Sequence, residues 1–167
     1  ELIGSVGNGF FTPGSGEWLS VQGLQPREHP GAQGSIHFSI VADPFNPNLV
    51  YVGGDRQPLS NGAFSGTFPN SIGAMDYTGR LFRGDVFAPP GSQWTPLTHN
   101  FALGTAPHAD SRDMAFDAIG NIIQGDDGGV YRRFSPQSTT GTWQSLNGNL
   151  QVNEVYPGGV AYDTVSN

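Results

Sequence analysis

The amino-acid sequence predicts an all-β protein that repeats one four-stranded unit, on three observations. First, 25 Gly and 13 Pro residues make up more than a fifth of the 167 residues, and both residue types break helices. Second, short segments alternate β-branched or aromatic residues with small polar ones, which is the pattern of half-buried strands. Third, the same succession of strand and turn signals recurs along the chain.

The first strand of each unit is an apolar run that ends in an aspartate. Three such runs occur: SIHFSIVAD ending at Asp43, SRDMAFD ending at Asp117 and YPGGVAYD ending at Asp163. After the first two, the turn ends at Asn48 or Asn121, and asparagine tolerates left-handed backbone conformations. The apolar run that follows, LVYV or IIQG, is therefore predicted to be the second strand of a hairpin.

The third and fourth strands come next, and a tryptophan opens the fourth. The third strands are RLFRGDVF, from Arg80, and GVYRRFS, from Gly129, and the fourth strands contain Trp94 and Trp143. The N-terminal region carries only this second half of the unit, as GFFT followed by Trp18. The spacing from each tryptophan to the next turn aspartate is 25, 23 and 20 residues. One register therefore relates all the copies.

Four-stranded repeats of this length are typical of β-propellers, which usually have about four to eight blades. We therefore predict a β-propeller fragment of antiparallel blades. The segment Gln57–Thr78, rich in Gly, Ser, Asn and Pro, is predicted to be an insertion in the first full blade. Other parts of a longer polypeptide, or other chains, would supply the remaining blades. The predicted divisions are half a blade and a linker at 1–34, a full blade at 35–107, a full blade at 108–152 and the first strand of a further blade at 153–167.

The charge balance argues against nucleic acid as a partner. The formal net charge is −7, and the few basic residues form no stripe that could follow a phosphate backbone. The chain has no cysteine, which excludes disulfides and thiolate metal sites. No apolar run approaches the roughly 20 residues that span a bilayer. A weakly charged chain rich in Asn, Gln, Ser and Thr is typical of secreted or cell-surface proteins, and we expect that location.

One segment resembles a known propeller family. The sequence DGGVYR at Asp127–Arg132 is followed by Ser138, Gly141, Thr142 and Trp143. This succession resembles the Asp-box, or BNR-type, propellers, which include sialidases, sortilin-like domains and xyloglucan-hydrolase-like proteins. The acidic residue of the box is replaced here by threonine. The resemblance implies a fold rather than one activity.

A closer resemblance is carried by ADPFNPNLVYVGGDRQ, TGRLFRGD, HADSRDMAFD and DDGGVYRR. Together these segments are similar to repeats of large secreted bacterial proteins, particularly cyanobacterial ones that carry calcium-binding repeat modules elsewhere. This resemblance implies no particular reaction.

The resemblance supplies one catalytic candidate. Asp126 opens a D-x-G-G-x-Y-R segment, which is similar to the one that carries a catalytic aspartate in xyloglucan-type glycosidases. Glycoside hydrolysis needs two carboxylates about 5 to 9.5 Å apart. In an enzyme, Asp110 and His108 would face the same groove as Asp126. Alternatively, Asp126 and Asp127 cap a hairpin turn by accepting backbone N–H groups.

The densest polar cluster, PHADSRD, lies just before a first strand, on the side of a propeller where ligands usually bind. It contains His108, Asp110, Arg112 and Asp113. A histidine beside an aspartate can act as an acid and base or bind a cation, and the arginine can bind a carboxylate. Alternatively, Arg112 is a structural brace that pairs with an aspartate across neighbouring blades.

Asp55 and Arg56 occupy the position in the first full blade that matches Asp127 in the second. We therefore expect charged side chains of both blades to lie on one face and to bind a ligand there. Calcium is a candidate ligand there, because clustered carboxylates and carbonyls are hard oxygen ligands. No calcium-loop motif is present, so no residue is assigned as a metal ligand. No ligand spacing is found among the other histidines, His29, His37 and His99.

The sequence favours a non-catalytic secreted or cell-surface module that binds a carbohydrate or an extracellular protein. The Asp-boxes are degenerate, and no carboxylate pair stands in a catalytic context. The alternative is a polysaccharide-active glycoside hydrolase or lyase that uses Asp126, Asp110 and His108. A third hypothesis is a self-assembling scaffold completed by other chains. Opposed carboxylates in an open cleft would favour the enzyme, whereas Arg–Asp pairs would favour the module.

Overall fold

The computed structural model describes residues 9–11, 18–20, 33–62 and 65–151, and every regular element in these ranges is a β-strand. The all-β prediction is therefore confirmed. Two short strands, β1 (Gly9–Phe11) and β2 (Trp18–Ser20), form an antiparallel pair at the positions of GFFT and Trp18. The strand expected to end at Asp163 lies outside the described residues.

Eight further strands form two antiparallel four-stranded sheets, each connected in chain order. The first sheet contains β3 (Ser39–Ala42), β4 (Leu49–Arg56), β5 (Gly79–Asp85) and β6 (Trp94–Pro96). The second sheet contains β7 (Asp113–Phe116), β8 (Ile122–Asp126), β9 (Gly129–Arg133) and β10 (Trp143–Ser145). The two sheets are not closed into a ring, so the structure shows the four-stranded units and not a complete propeller.

The turn aspartates fix the first hairpin of each sheet. Oδ1 of Asp43 accepts the N–H groups of Phe45 and Asn46, and Oδ1 of Asp117 accepts those of two residues in its own turn, Ile119 and Asn121. Burial alone would raise the pKa of Asp43, but the hydrogen bonds it accepts hold that pKa below its usual value. These bonds replace the backbone partners that a tight turn leaves unpaired.

The register of the first hairpin is the same in both sheets. The equivalent pairs are Ser39 with Gly53 and Asp113 with Gly125. Asp55 and Asp127 each lie two residues beyond the glycine of such a pair. The structure therefore places these two aspartates at equivalent positions, as the repeat predicts.

The segment 57–78 connects β4 to β5 and contains no strand in its described residues. Gln57 is buried and anchors the segment, because its Nε2 donates to the carbonyl of Gly79 and to Oγ1 of Thr98. Asn70 Nδ2 donates in turn to Gln57 Oε1 and to the carbonyl of Pro58. These bonds hold the inserted segment against the first sheet.

The hydrophobic core lies between the two sheets, and both contribute to it. Tyr51 of β4 is fully buried and meets Phe116 of β7 edge to face, with ring centroids 5.5 Å apart. Trp143 of β10 is 6% exposed, and its Nε1 donates across the interface to the carbonyl of Leu97. The buried members of the core are Leu49, Tyr51, Leu81, Leu97, Ala102, Met114, Ile122 and Trp143.

A glycine allows β3 and β4 to approach the chain that enters the second sheet. Oγ of Ser39 and Oγ of Ser111 lie 2.6 Å apart in a buried hydrogen bond. A Cβ atom on Gly53 would lie 2.5 Å from Ser111 Oγ, so a larger residue at this position would separate the two sheets. The N–H of Ser111 also donates to the carbonyl of Gly54, 2.9 Å away.

The faces of the two sheets differ in burial. Seven of the eight residues of β4 are buried, and Arg56 is half-buried, so β4 is covered on both faces. In β8, buried and half-buried residues alternate, which is typical of a sheet that is covered on one face. Val130, Leu146 and Leu150, in and after the last strands of the second sheet, are exposed.

Candidate functional site

A polar cluster, which we define as His37, Asp55, Asp110 and Asp127, lies where the two sheets meet. Asp55 lies near the end of β4, and Asp127 lies in the turn between β8 and β9. Asp110 precedes β7, and its N–H donates to the carbonyl of Asp55, 3.2 Å away. The structure thus brings Asp110 next to Asp55 and Asp127, the two aspartates that the sequence had placed on one face.

Asp110 has an unusual backbone conformation and a buried oxygen. Its φ of 71° lies in the left-handed region, which aspartate adopts more readily than most residues. Its Oδ1 is buried and has no hydrogen-bond partner among the described residues. Burial raises the pKa of Asp110, and the negative charges of Asp127 and Asp55 raise it further, whereas His37 lowers it.

His37 was not identified from the sequence, yet it belongs to this cluster. Its ring is almost completely buried, and Nε2 lies 3.9 Å from Oδ1 of Asp110. Ligand atoms of His37, Asp110 and Asp127 all lie within 4.8 Å of one another. The only signal in the sequence is the alternation in IHFSI, where Ile36 and Phe38 are exposed and His37 points inward.

Arg112 pairs with Asp127 at the edge of the cluster. Nε of Arg112 lies 2.7 Å from Oδ1 of Asp127, within the second sheet, and Nη1 lies 3.5 Å from the carbonyl of Ile36. The carboxylate that Arg112 contacts therefore belongs to its own sheet, whereas the structural interpretation paired Arg112 with an aspartate across neighbouring blades.

Asp126 is buried at the end of β8 and caps the turn that follows. Its Oδ1 accepts the N–H of Gly128, and its Oδ2 accepts a hydrogen bond from Nε2 of Gln124. Burial raises the pKa of Asp126 to about 7, although these two hydrogen bonds lower it. The carboxyl group is therefore partly protonated near neutral pH.

This shift predicts that stability depends on pH through Asp126. The folded-state pKa lies above the ordinary value of 3.8, so proton binding stabilises the fold fully below that value. The stabilisation is lost as the pH rises through about 7. We expect Asp126→Asn to be more stable than the parent at about pH 8 and to lack this loss. Gln124 Oε1 has no hydrogen-bond partner among the described residues. If the side-chain amide of Gln124 rotates, its Oε1 can accept a hydrogen bond from the amide of the new asparagine.

Urea denaturation at several values between about pH 5 and about pH 8 would measure this effect. Asp113→Asn is the matched control, because Asp113 is exposed at the start of β7. Parallel pH profiles for Asp126→Asn and the parent chain would contradict the prediction.

The remaining predicted site residues lie around the cluster. His108 is exposed and packs against Gly128. A Cβ atom added to Gly128 would lie 2.4 Å from the Cβ of His108. Asp113 is exposed, and its Oδ1 accepts the N–H of Met114. Arg56 lies over the ring of Tyr77 in the inserted segment, 4.6 Å from the centroid.

A separate cleft of about 490 Å³ lies between the inserted segment and the second sheet. The inserted segment contributes Asp76 and Thr78, and the second sheet contributes Tyr131, Trp143 and Ser145. The full lining is Gly73, Met75, Asp76, Thr78, His99, Gly104, Thr105, Ala106, Tyr131, Trp143 and Ser145. Sequence reasoning identified the insertion but not this cleft.

His99 and Tyr131 give the cleft two groups that are neutral near pH 7. Burial lowers the pKa of His99, and its Nε2 lies 2.9 Å from Oγ1 of Thr78 in a hydrogen bond. Burial also raises the pKa of the half-buried Tyr131, and the charge of Asp126 adds to this shift. The cleft therefore combines aromatic surface with neutral hydrogen-bonding groups.

These observations define an all-β protein with two packed four-stranded sheets, a polar cluster between them and a cleft beside an inserted segment. Comparisons of the chain with protein-family models, with curated proteins and with solved structures gave no match. Within the ranges that the structure describes, no helix is long and apolar enough to cross a membrane.

Proposed function

We propose that this chain is part of a secreted or cell-surface β-propeller and binds a carbohydrate without cleaving it. The cleft beside the inserted segment is the binding site. One observation carries the proposal: among the described residues that line the cleft, Asp76 supplies the only carboxyl group, beside aromatic and hydroxyl side chains.

The sheet arrangement supports the propeller part of the proposal. Each sheet is a four-stranded antiparallel meander, which is the structure of a propeller blade. The chain that enters β7 contacts β3 and β4 directly, so the first strands of the two sheets are neighbours, as they are around a propeller axis. One face of the second sheet carries the half-buried residues of β8. A further blade would pack against that face.

The composition of the cleft supports carbohydrate binding. Sugars present apolar ring faces and many hydroxyl groups, which need aromatic surface and convergent polar groups. Half-buried Tyr131 supplies aromatic surface, with buried Trp143 behind it, and Thr78, Ser145 and Asp76 supply donors and acceptors. Exposed Asp76 can accept two hydroxyl hydrogen bonds with its carboxylate.

The same lining argues against hydrolysis in this cleft. Glycoside hydrolysis needs two carboxyl groups on opposite sides of the bond that is cleaved. Asp126, Asp110 and His108 do not line the cleft. Asp126 is 8% exposed and holds a turn, and Asp127 is paired with Arg112.

A glycoside hydrolase remains the second candidate, on one observation. The raised pKa of Asp126, about 7, is the property that a general acid needs near neutral pH. On this hypothesis the purified chain releases reducing ends from a polysaccharide, and Asp126→Asn abolishes the release.

Binding to an array of neutral oligosaccharides, followed by calorimetry with the strongest ligand, would test the binding proposal. We expect Asp76→Asn to weaken binding about tenfold or more, because a hydrogen bond to a charged group contributes about 1.5–3 kcal/mol. Asp113→Asn is the matched control, since it removes an exposed carboxylate outside the cleft, and we expect it to bind as the parent does.

Two results would overturn the proposal. The first is release of reducing ends by the parent chain, which would favour the hydrolase. The second is equal binding by the parent and Asp76→Asn, which would place the carbohydrate outside the cleft.

A further inference from the structure

Three potential metal ligands converge in the polar cluster from distant parts of the sequence. His37 precedes β3 of the first sheet, whereas Asp110 precedes β7 of the second sheet and Asp127 lies in the turn between β8 and β9. Their ligand atoms lie within 4.8 Å of one another, a spacing that small side-chain rotations can reduce to that of a coordination shell. Neither the repeat nor the proposed carbohydrate site accounts for this convergence.

A second observation is that two polar atoms of this cluster are buried without a hydrogen-bond partner among the described residues. His37 is 2% exposed, and its Nδ1 is buried with no hydrogen-bond partner among the described residues. Its Nε2 points to Oδ1 of Asp110, but the separation of 3.9 Å is too long for a hydrogen bond. Oδ1 of Asp110 also lacks a hydrogen-bond partner within the described ranges. Buried polar atoms are normally paired, and leaving one unpaired costs about 1–3 kcal/mol.

We propose that His37, Asp110 and Asp127 bind one divalent first-row transition-metal ion, such as Zn²⁺. Imidazole nitrogen is a preferred ligand of these ions, whereas Ca²⁺ and Mg²⁺ prefer sites made of oxygen atoms alone. The histidine therefore separates this site from the calcium site that the sequence suggested. Three protein ligands leave a coordination position for water or a bound molecule.

The surrounding charges favour a cation at this position. Two aspartates supply the site itself, and the backbone of Asp55, a third, is hydrogen-bonded to that of Asp110. Arg112 contacts Oδ1 of Asp127, and a carboxylate has a second oxygen that is available to a metal. The arginine then orients the ligand in the way that outer-shell partners commonly do.

The bound metal would connect the two sheets. His37 and the two aspartates come from opposite sides of the interface, so the ion binds the folded arrangement and not the unfolded chain. We therefore expect the thermal midpoint of the metal-free protein to rise when Zn²⁺ is added, with an increase that grows with Zn²⁺ concentration.

The test uses the untagged 167-residue chain after removal of metals with a chelator. Titration with Co²⁺ is followed by its visible absorption, and titration with Zn²⁺ is followed by calorimetry. We expect one equivalent of each ion to bind, and we expect no binding of Ca²⁺ or Mg²⁺. Asp110→Asn and His37→Gln should each lower the Co²⁺ affinity about tenfold or more.

Two controls match these variants. His108→Gln removes an exposed histidine beside the cluster, and Asp113→Asn removes an exposed aspartate of the same segment. Both should bind Co²⁺ as the parent does. If circular dichroism shows that His37→Gln does not fold, Asp127→Asn takes its place as the second ligand variant.

Three outcomes would overturn the proposal. One is a parent chain that binds neither Co²⁺ nor Zn²⁺. Another is an unchanged affinity in the folded ligand variants. The third is a loss of affinity in His108→Gln that equals the loss in Asp110→Asn.

Discussion

Replacing Arg133 with methionine is expected to lower the free energy of unfolding by about 3 kcal/mol or more. The Arg133 side chain is fully buried in the second sheet. Its guanidinium donates to the carbonyls of Gly141 and Ser138, in the connection between β9 and β10, and to that of Phe101, in the loop that follows β6. Methionine removes this donor from all three carbonyls, although that of Ser138 still accepts the N–H of Gly141. Each buried acceptor that is left unpaired costs about 1–3 kcal/mol.

The cost of burying the charge of Arg133 offsets part of the stabilisation that its hydrogen bonds provide in the parent. Burial lowers the pKa of Arg133 to about 10, which shows that the guanidinium is poorly solvated. An uncharged residue removes that cost, so the net loss is smaller than three full hydrogen bonds would suggest. Arg133→Lys keeps the charge but has no planar fork, and it should be destabilised as well.

The neighbouring Arg132 is the matched control for Arg133. Its side chain is 34% exposed, and its Nε lies 3.6 Å from Oδ2 of Asp117. Exposed ion pairs of this kind contribute little, so Arg132→Met should change stability far less than Arg133→Met. Urea denaturation of both variants would measure the difference, and similar losses would contradict the assigned role of Arg133.

Trp143→Ala is expected to cost about 3–5 kcal/mol, the range for deletion of a buried aromatic side chain. Trp143 packs in the core between the sheets, and its Nε1 donates 2.8 Å to the carbonyl of Leu97 on the opposite side. The substitution removes the packing and leaves this carbonyl without the indole donor. Urea denaturation would measure the loss.

Trp94 occupies the same repeat position in the first sheet and provides the comparison. It is half-buried and meets Phe82 of the same sheet, with ring centroids 6.5 Å apart. We expect Trp94→Ala to be less destabilising than Trp143→Ala, because Trp94 does not belong to the buried core between the sheets. A larger loss for Trp94→Ala would mean that its face of the first sheet carries more of the stability.

The metal and carbohydrate proposals concern different side chains and can fail separately. None of the three proposed metal ligands lines the cleft. Tyr131 is a connection between the two regions, because its hydroxyl is hydrogen-bonded to the backbone of His108. A chain that binds Co²⁺ but no sugar, or the reverse, would support one proposal and overturn the other.

Local patterns in the sequence were sufficient to predict the strands. Most of the strands are short runs rich in β-branched and aromatic residues between turn signals, and Asp43 and Asp117 accept the N–H groups of their own turns. These interactions join residues a few positions apart, so a local sequence pattern is sufficient to predict them. The repeat also predicted that Asp55 and Asp127 are equivalent, in agreement with the register of the two first hairpins.

Only the tertiary structure decided which side chains meet between the sheets. His37 has no ligand spacing in the sequence, and it reaches Asp110 because two sheets pack against each other through Gly53. Arginine is a residue type that normally lies on the surface. Arg133 is nevertheless buried, and its guanidinium donates to backbone carbonyls from separate turns. The repeated strands and turns were determined by short-range periodicity, whereas the cluster and the cleft depend on contacts between distant segments, which no local pattern encodes.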